Sequence, residues 1–257
     1  MSLVEYEVKK RVGYITLNRP DKRNALSHEL VEELTQNFEK AERDTAVKVV
    51  VLKANGESFC AGADLAYLQQ LQNFSYEENL VDSNHLKDLF LKIYSLKKVV
   101  IAQVQGHALA GGCGLATVCD FAFAVPEAKF GYTEVKIGFI PALVAVFLVR
   151  KIGEQKARQL LLTGEIIKAE EALNRGMISH IVNSDNLQTS VYDFAQRLIS
   201  SNSEQSMELT KQLISEAQTL PLHNALNLAA TMNAKARSTE DCKKGVASFL
   251  NKQELRW

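Results

Sequence analysis

The stretch Val99-Val-Ile-Ala-Gln-Val-Gln-Gly-His-Ala-Leu-Ala-Gly-Gly-Cys-Gly-Leu-Ala-Thr-Val-Cys-Asp120 leaves the chain little choice of local structure. Residues 99–104 are β-branched and apolar enough for a buried strand, and 115–118 are apolar at helical spacing. Between them Gly111, Gly112 and Gly114 stand where a strand hands over to a helix. The first N–H groups of such a helix have no internal partner and lie at the positive end of its dipole. They can hold an oxyanion, a carbonyl oxygen or a phosphate. At Gly111 and Gly112 no Cβ keeps a ligand from the backbone.

Around this junction the pattern predicts a mixed α/β core. Residues 3–8 and 12–17 alternate as two strands of a hairpin around Lys9-Lys10-Arg11. Ser27 is a good N-cap for a helix bearing Leu30, Val31, Leu34 and Phe38, and 47–52 is a strand buried on both faces. Ser58-Phe-Cys-Ala-Gly-Ala-Asp-Leu65 is a second strand-to-helix turn containing a glycine, and an amphipathic region over 69–98 leads back to the central strand. Strands over 121–125, 129–132 and 178–182 alternate with helices over 143–150, 154–162 and 169–174. After about residue 187 strand signals cease, so the chain divides into a core over 1–187 and a helical region over 188–257. Leu209, Leu213, Ile214, Leu226, Leu228 and Met232 give that region more apolar surface than a lone appendage needs, which suits subunit contacts.

Thirty basic residues balance thirty acidic ones, so no global field favours nucleic acid or an acidic membrane surface. Cys60, Cys113, Cys119 and Cys242 have neither metal-site nor disulfide-framework spacing, and no apolar run is long enough to span a bilayer. These features predict a soluble cytoplasmic protein with no metal. A dinucleotide site is also excluded, because the glycines are not spaced as G-x-G-x-x-G and Asp120 comes too early to bind a ribose.

The segments Asn18-Arg-Pro-Asp-Lys-Arg-Asn-Ala-Leu26, 58–65, Gly106-His-Ala-Leu-Ala-Gly-Gly-Cys-Gly-Leu-Ala116, Phe130-Gly-Tyr-Thr-Glu134 and Ile137-Gly-Phe-Ile-Pro141, in that order, resemble the crotonase family of enoyl-CoA hydratases and isomerases. The resemblance implies a crotonase-like spiral of ββα turns with a C-terminal helical trimerisation region, assembled as a homotrimer or a dimer of trimers. It implies an acyl-CoA thioester as substrate and no cofactor beyond the CoA that the substrate carries. Matching the motifs residue by residue makes the N–H groups of Ala63 and Gly111 the oxyanion donors and Glu134 the acid/base. Ala61, Asp64, Leu65 and Ala66 then lie along the CoA path, Lys22 and Arg23 near its phosphates, and Gly112 and Gly114 beside the substrate. Phe249 and Lys252 match positions that reach a neighbouring subunit's CoA.

Two departures stand out. Two-glutamate hydratases carry a first glutamate where this chain has Gly114, twenty residues before Glu134. The glycine-rich stretch that usually follows Ile-Pro is replaced by Ala142-Leu-Val-Ala-Val-Phe-Leu-Val149. The leading expectation is therefore hydration of a 2-enoyl-CoA through an enolate with a single glutamate. The alternatives are isomerisation of a 3-enoyl to a 2-enoyl thioester, and a non-catalytic or RNA-associated protein of the same fold. Other candidates have simpler explanations: His107 as a hydrogen-bonded structural histidine, Cys113 as a buried thiol and Asp64 as a helix N-cap, while lining of the acyl site and core packing explain Tyr67 and Tyr132 equally well.

Overall fold

A computed structural model describes residues 2–257. In chain order the elements are β1 (Val4–Lys9), β2 (Val12–Leu17), α1 (His28–Arg43), β3 (Val49–Ala54), α2 (Leu65–Leu71), α3 (Tyr76–Ser95), β4 (Val99–Val104), β5 (Ala108–Leu109), α4 (Gly111–Val118), β6 (Phe121–Ala124) and β7 (Lys129–Gly131). They continue with α5 (Ala142–Ile152), α6 (Glu154–Thr163), β8 (Ile166–Lys168), α7 (Ala169–Arg175), β9 (His180–Ile181), α8 (Ser184–Ser201), α9 (Glu204–Ala217), α10 (Leu222–Arg237) and α11 (Glu240–Leu250).

The main sheet has the order β1-β2-β3-β4-β6-β9, with β1 antiparallel to β2 and the other pairs parallel. Continuous apolar strands such as Val49-Val-Val-Leu52 are buried because helices cover both faces of a parallel sheet. Lys10 and Arg11 close the expected hairpin with φ of 49° and 65°, the left-handed pair that a two-residue turn requires. Of a second sheet, β5-β7-β8, only β7 is expected from the sequence; β5 and β8 are too short to carry a period. Its pairing of Ala108 with Phe130 and Leu109 with Gly131 sets the glycine-rich turn beside the segment that leads to Glu134.

Three lysines fasten helix C-termini to this core. Lys48 Nζ donates to the carbonyls of Ile199 and Asn202 at the end of α8, at 2.7 and 2.6 Å. Lys98 Nζ donates to those of Ala41 and Asp44 beside the end of α1, and Lys151 Nζ to Thr117 and Cys119 at the end of α4, at 2.7 Å each. Each ammonium meets carbonyls at the negative end of a helix dipole, which offsets the burial that pulls all three pKa values down. The Lys151 pair fixes the far end of the helix whose N-terminus is the glycine-rich turn.

Candidate active site

The two glycine turns are built against each other. An isolated parallel bridge joins Cys60 to Ala108; the Cys60 amide donates to the His107 carbonyl at 3.2 Å, and the Leu109 amide to the Cys60 carbonyl at 3.0 Å. Gly62, at φ 92°, lies so close that a Cβ on it would stand 2.7 Å from Ala110 Cβ. A Cβ on Gly112 would stand 2.2 Å from the Cys60 carbonyl oxygen. Any side chain at either position pushes the turns apart. Ala110, the residue before α4, has φ 48° and ψ −125°, a strained conformation for an L-residue, held by its amide's 2.7 Å bond to the Gly131 carbonyl.

Each turn holds an open amide beside the cavity, Ala63 in the first and Gly111 in the second. The first is fixed by Ala61 N–H to the Arg23 carbonyl, Leu26 N–H to Gly62 and Asp64 N–H to Leu26, which skips Ala63. Gly111 is the first residue of α4, where no preceding turn can accept its proton. Among the described residues neither amide donates to any acceptor. Both residues line one cavity of about 480 Å³, walled by the start of α1, by α2, α3 and the segment 133–144.

Glu134 lines the same cavity. It opens a short 3-10 turn, Glu134–Ile137, after β7. Its Oε2 is buried without a hydrogen-bond partner, and burial pushes its carboxyl above the usual glutamate range against a small downward pull from its own amide. Two residues earlier, Tyr132 is fully buried with its hydroxyl 2.7 Å from Thr117 Oγ1. Thr117 gives its only proton to the Cys113 carbonyl at 2.8 Å, so Tyr132 is the donor to Thr117. This chain and the Ala110–Gly131 bond tie α4 to the strand that delivers Glu134.

The other expected site residues divide. Ala61 and Leu65 also line the cavity. Asp64 caps α2, accepting from the Ala66 and Tyr67 amides at 2.8 and 3.2 Å, and pairs with Arg19 at 2.7 Å. Burial pushes its carboxyl up, but these partners together hold it below the usual range, so its oxygens are already engaged. Ala66, Lys22 and Arg23 are exposed, the last two in the turn whose Arg23 carbonyl holds Ala61, without lining the cavity. Gly112 and Gly114 do not reach the wall either: Gly112 is pressed on Cys60, and a Cβ at Gly114 would meet Val144 Cγ1 at 2.4 Å and Phe90 Cζ at 3.1 Å. Gly114 thus makes room for α5 rather than for substrate. Phe249, 83% exposed, and Lys252 lie at the end of α11, away from the cavity. His107 is exposed and takes part through its carbonyl; Cys113 is buried, its thiol pushed up to about 12 by burial.

A larger cavity, about 690 Å³, lies between the N-terminal ends of β4 and β6 and the C-terminal helices. Its charged residues, Asp120 and Lys211, are paired at 2.7 Å and leave no reactive group there. On the first cavity, sequence reasoning missed Asp82, His28 and His85. They come from α1 and α3, and only the packing of those helices brings them to α2.

Known proteins resemble this chain over nearly its whole length. A family model described as enoyl-CoA hydratase/isomerase matches residues 7–257. The chain is 40% identical over 249 residues to a Thermus thermophilus protein provisionally named an enoyl-CoA hydratase, covering 97% of this chain and 98% of that one. It is 34% identical to a crotonyl-CoA hydratase of Syntrophomonas wolfei, over 99% and 96% of the two chains. The crystal structure of an enoyl-CoA hydratase from Mycobacterium smegmatis superposes with a TM-score of 0.93 at 30% identity, covering 99% of this chain and 98% of that one.

The packing at Gly114 has a measurable consequence. Gly114→Ala should lower stability by roughly 1–3 kcal/mol through overpacking, and adding Val144→Ala should recover much of that loss. Denaturant midpoints of the two single variants and the double variant test this. Additive losses would mean that Gly114 and Val144 do not share the space.

Proposed function

The chain belongs to the enoyl-CoA hydratase/isomerase family, and from that premise we propose that it adds water to a 2-enoyl-CoA thioester with Glu134 as acid/base and the Ala63 and Gly111 amides as oxyanion donors. The observation that carries this reading is the unpartnered, buried Glu134 Oε2 on the wall that also bears both open amides. Two N–H groups on the thioester oxygen draw electron density from the β-carbon, and each such donor is typically worth roughly 3–4 kcal/mol in the transition state. Glu134 takes a proton from water, the hydroxide oxygen bonds to the β-carbon, and the π electrons move onto the thioester oxygen. The enolate then collapses and takes the proton back from Glu134 at the α-carbon. A raised pKa suits a group that accepts and returns a proton near neutral pH. CoA enters as part of the substrate, with Lys22 and Arg23 toward its phosphates.

Isomerisation is the second reading, and Gly114 favours it. The place of a second carboxylate is occupied by Val144 and Phe90, and one carboxylate suffices to remove a proton at one carbon and return it at another. An RNA-associated role gains no support, because no lysine or arginine lines the cavity. The region 188–257 is read as an oligomerisation region. Within one chain α10 buries only Met232 and α11 buries nothing, while Leu222, Leu226, Val246, Phe249 and Leu250 are exposed. A homotrimer or a dimer of trimers would cover them and bring Phe249 and Lys252 toward a neighbour's CoA.

Glu134→Gln should lower kcat at least a hundredfold with KM nearly unchanged, measured on 2-butenoyl-CoA and 3-butenoyl-CoA with products separated and identified by mass spectrometry. Activity that survives on both substrates removes Glu134 from the chemistry. Folding raises the pKa of this carboxyl, so its contribution to stability is present below the unfolded glutamate value and lost as pH rises through the folded one. The glutamine variant should therefore be more stable than the wild type at neutral pH, with the gap closing in acid. For assembly, light scattering at micromolar concentration should give the mass of three or six chains; a single-chain mass would contradict it.

A further inference from the structure

Two helices face each other across the cavity through residues that the acid/base chemistry does not use. From α2 come Tyr67, Leu68 and Leu71, and from α3 Asp82, Ser83, Leu86 and Phe90, each set at the spacing of one helical face. The Tyr67 hydroxyl donates to Asp82 Oδ1 across the gap between them. Burial first, then the hydrogen bond to Asp82 and after it the Asp82 charge, push the tyrosine's pKa well up, so its hydroxyl keeps its proton. His85 lies on the same side, its Nε2 3.0 Å from Glu32 Oε2 and its ring 4.3 Å from that of His28.

The cavity is therefore unlike at its two ends. Beside α4 it is closed by Val144 and Phe90, which fill the space over Gly114. Eight residues earlier on α3, roughly 12 Å along the helix axis, stands the Asp82 carboxylate. Tyr67 is the third residue of α2, whose N-cap Asp64 directly follows Ala63. A chain that leaves the thioester and cannot enter the filled space over Gly114 has the gap between α2 and α3 ahead of it.

We propose that the Tyr67–Asp82 pair is a recognition site for a hydroxyl group on the acyl chain, so that the preferred substrates are hydroxyacyl rather than plain alkyl thioesters. The proposal rests on the acyl-CoA reading of the cavity. An ionised carboxylate has about four acceptor directions and Tyr67 uses one. A substrate hydroxyl can donate to the free oxygen in a charge-assisted bond, while the tyrosine oxygen remains able to accept. A methyl group in the same place covers the carboxylate without replacing the water it displaces. A second carboxylate on the substrate is repelled.

Calorimetric titration of saturated thioesters tests this without requiring turnover. The wild type is titrated with butanoyl-CoA and 4-hydroxybutanoyl-CoA, and with hexanoyl-CoA and 6-hydroxyhexanoyl-CoA. At one length or both the hydroxylated member should bind at least tenfold more tightly. Asp82→Leu should reduce that preference to less than threefold, and Asp82→Asn, which keeps the shape and an acceptor, should give an intermediate value. Equal or weaker binding of the hydroxylated thioesters at both lengths overturns the proposal, as does a full preference retained in both variants. If plain thioesters bind and the hydroxyl brings nothing, only this assignment fails. If no thioester binds, the acyl-CoA reading fails with it.

Discussion

The site depends on the contact between two backbone turns that approach more closely than side chains allow. The Cys60 carbonyl lies over Gly112, and Gly62 lies on Ala110, with the Cys60–Ala108 bridge between them. Because the β5–β7 ladder and the Ala110–Gly131 bond fix the second turn, the first inherits its position through that contact. The result is two amides without acceptors on one wall, at no loss to the regular hydrogen bonding around them. Strain at Ala110 is part of the same construction: the backbone reverses there just before α4 begins, and the surrounding bonds hold it.

Glu134 lines the same cavity as those two amides, and it is set apart by what it lacks. An exposed glutamate would be fully solvated; this one has a buried oxygen without a partner, and burial raises its pKa above the usual glutamate range. Its placement is set from behind. The bond from Tyr132 to Thr117 and on to Cys113 joins the strand that precedes Glu134 to the helix that begins at Gly111. Lys151 then fixes the other end of that helix. Gly111 and Glu134 are thus held by different elements that share one buried polar chain.

Much of this was legible in the sequence because its signals are local. The glycine turns, the Ser27 cap and the alternating strands each follow from neighbouring residues. The family resemblance then selected Ala63 and Gly111 from several amides that composition alone could not rank. What was not legible depends on distant packing. Gly114 reads as a place for substrate until Val144 and Phe90 are seen to fill it. Asp64 reads as an N-cap or a CoA contact, and its pairing with Arg19 is what the sequence leaves out. Strands β5 and β8 are too short to carry a pattern, and Tyr67 meets Asp82 only because α2 and α3 fold together.

The central claim is that the Ala63 and Gly111 amides polarise a thioester carbonyl. Isotope-edited infrared spectra of bound butanoyl-CoA, labelled with ¹³C at the carbonyl, read that polarisation without any reaction. In the wild type the carbonyl stretch should fall well below its value in solution. Gly111→Pro removes the N–H at a first helical position where proline is tolerated, and Gly111→Ala keeps the N–H while adding a Cβ that meets only the end of Leu26, at 2.9 Å. The account predicts that the stretch moves back toward the solution value in the proline variant and stays low in the alanine variant. A carbonyl stretch in folded, ligand-bound Gly111→Pro as low as in the wild type would contradict it.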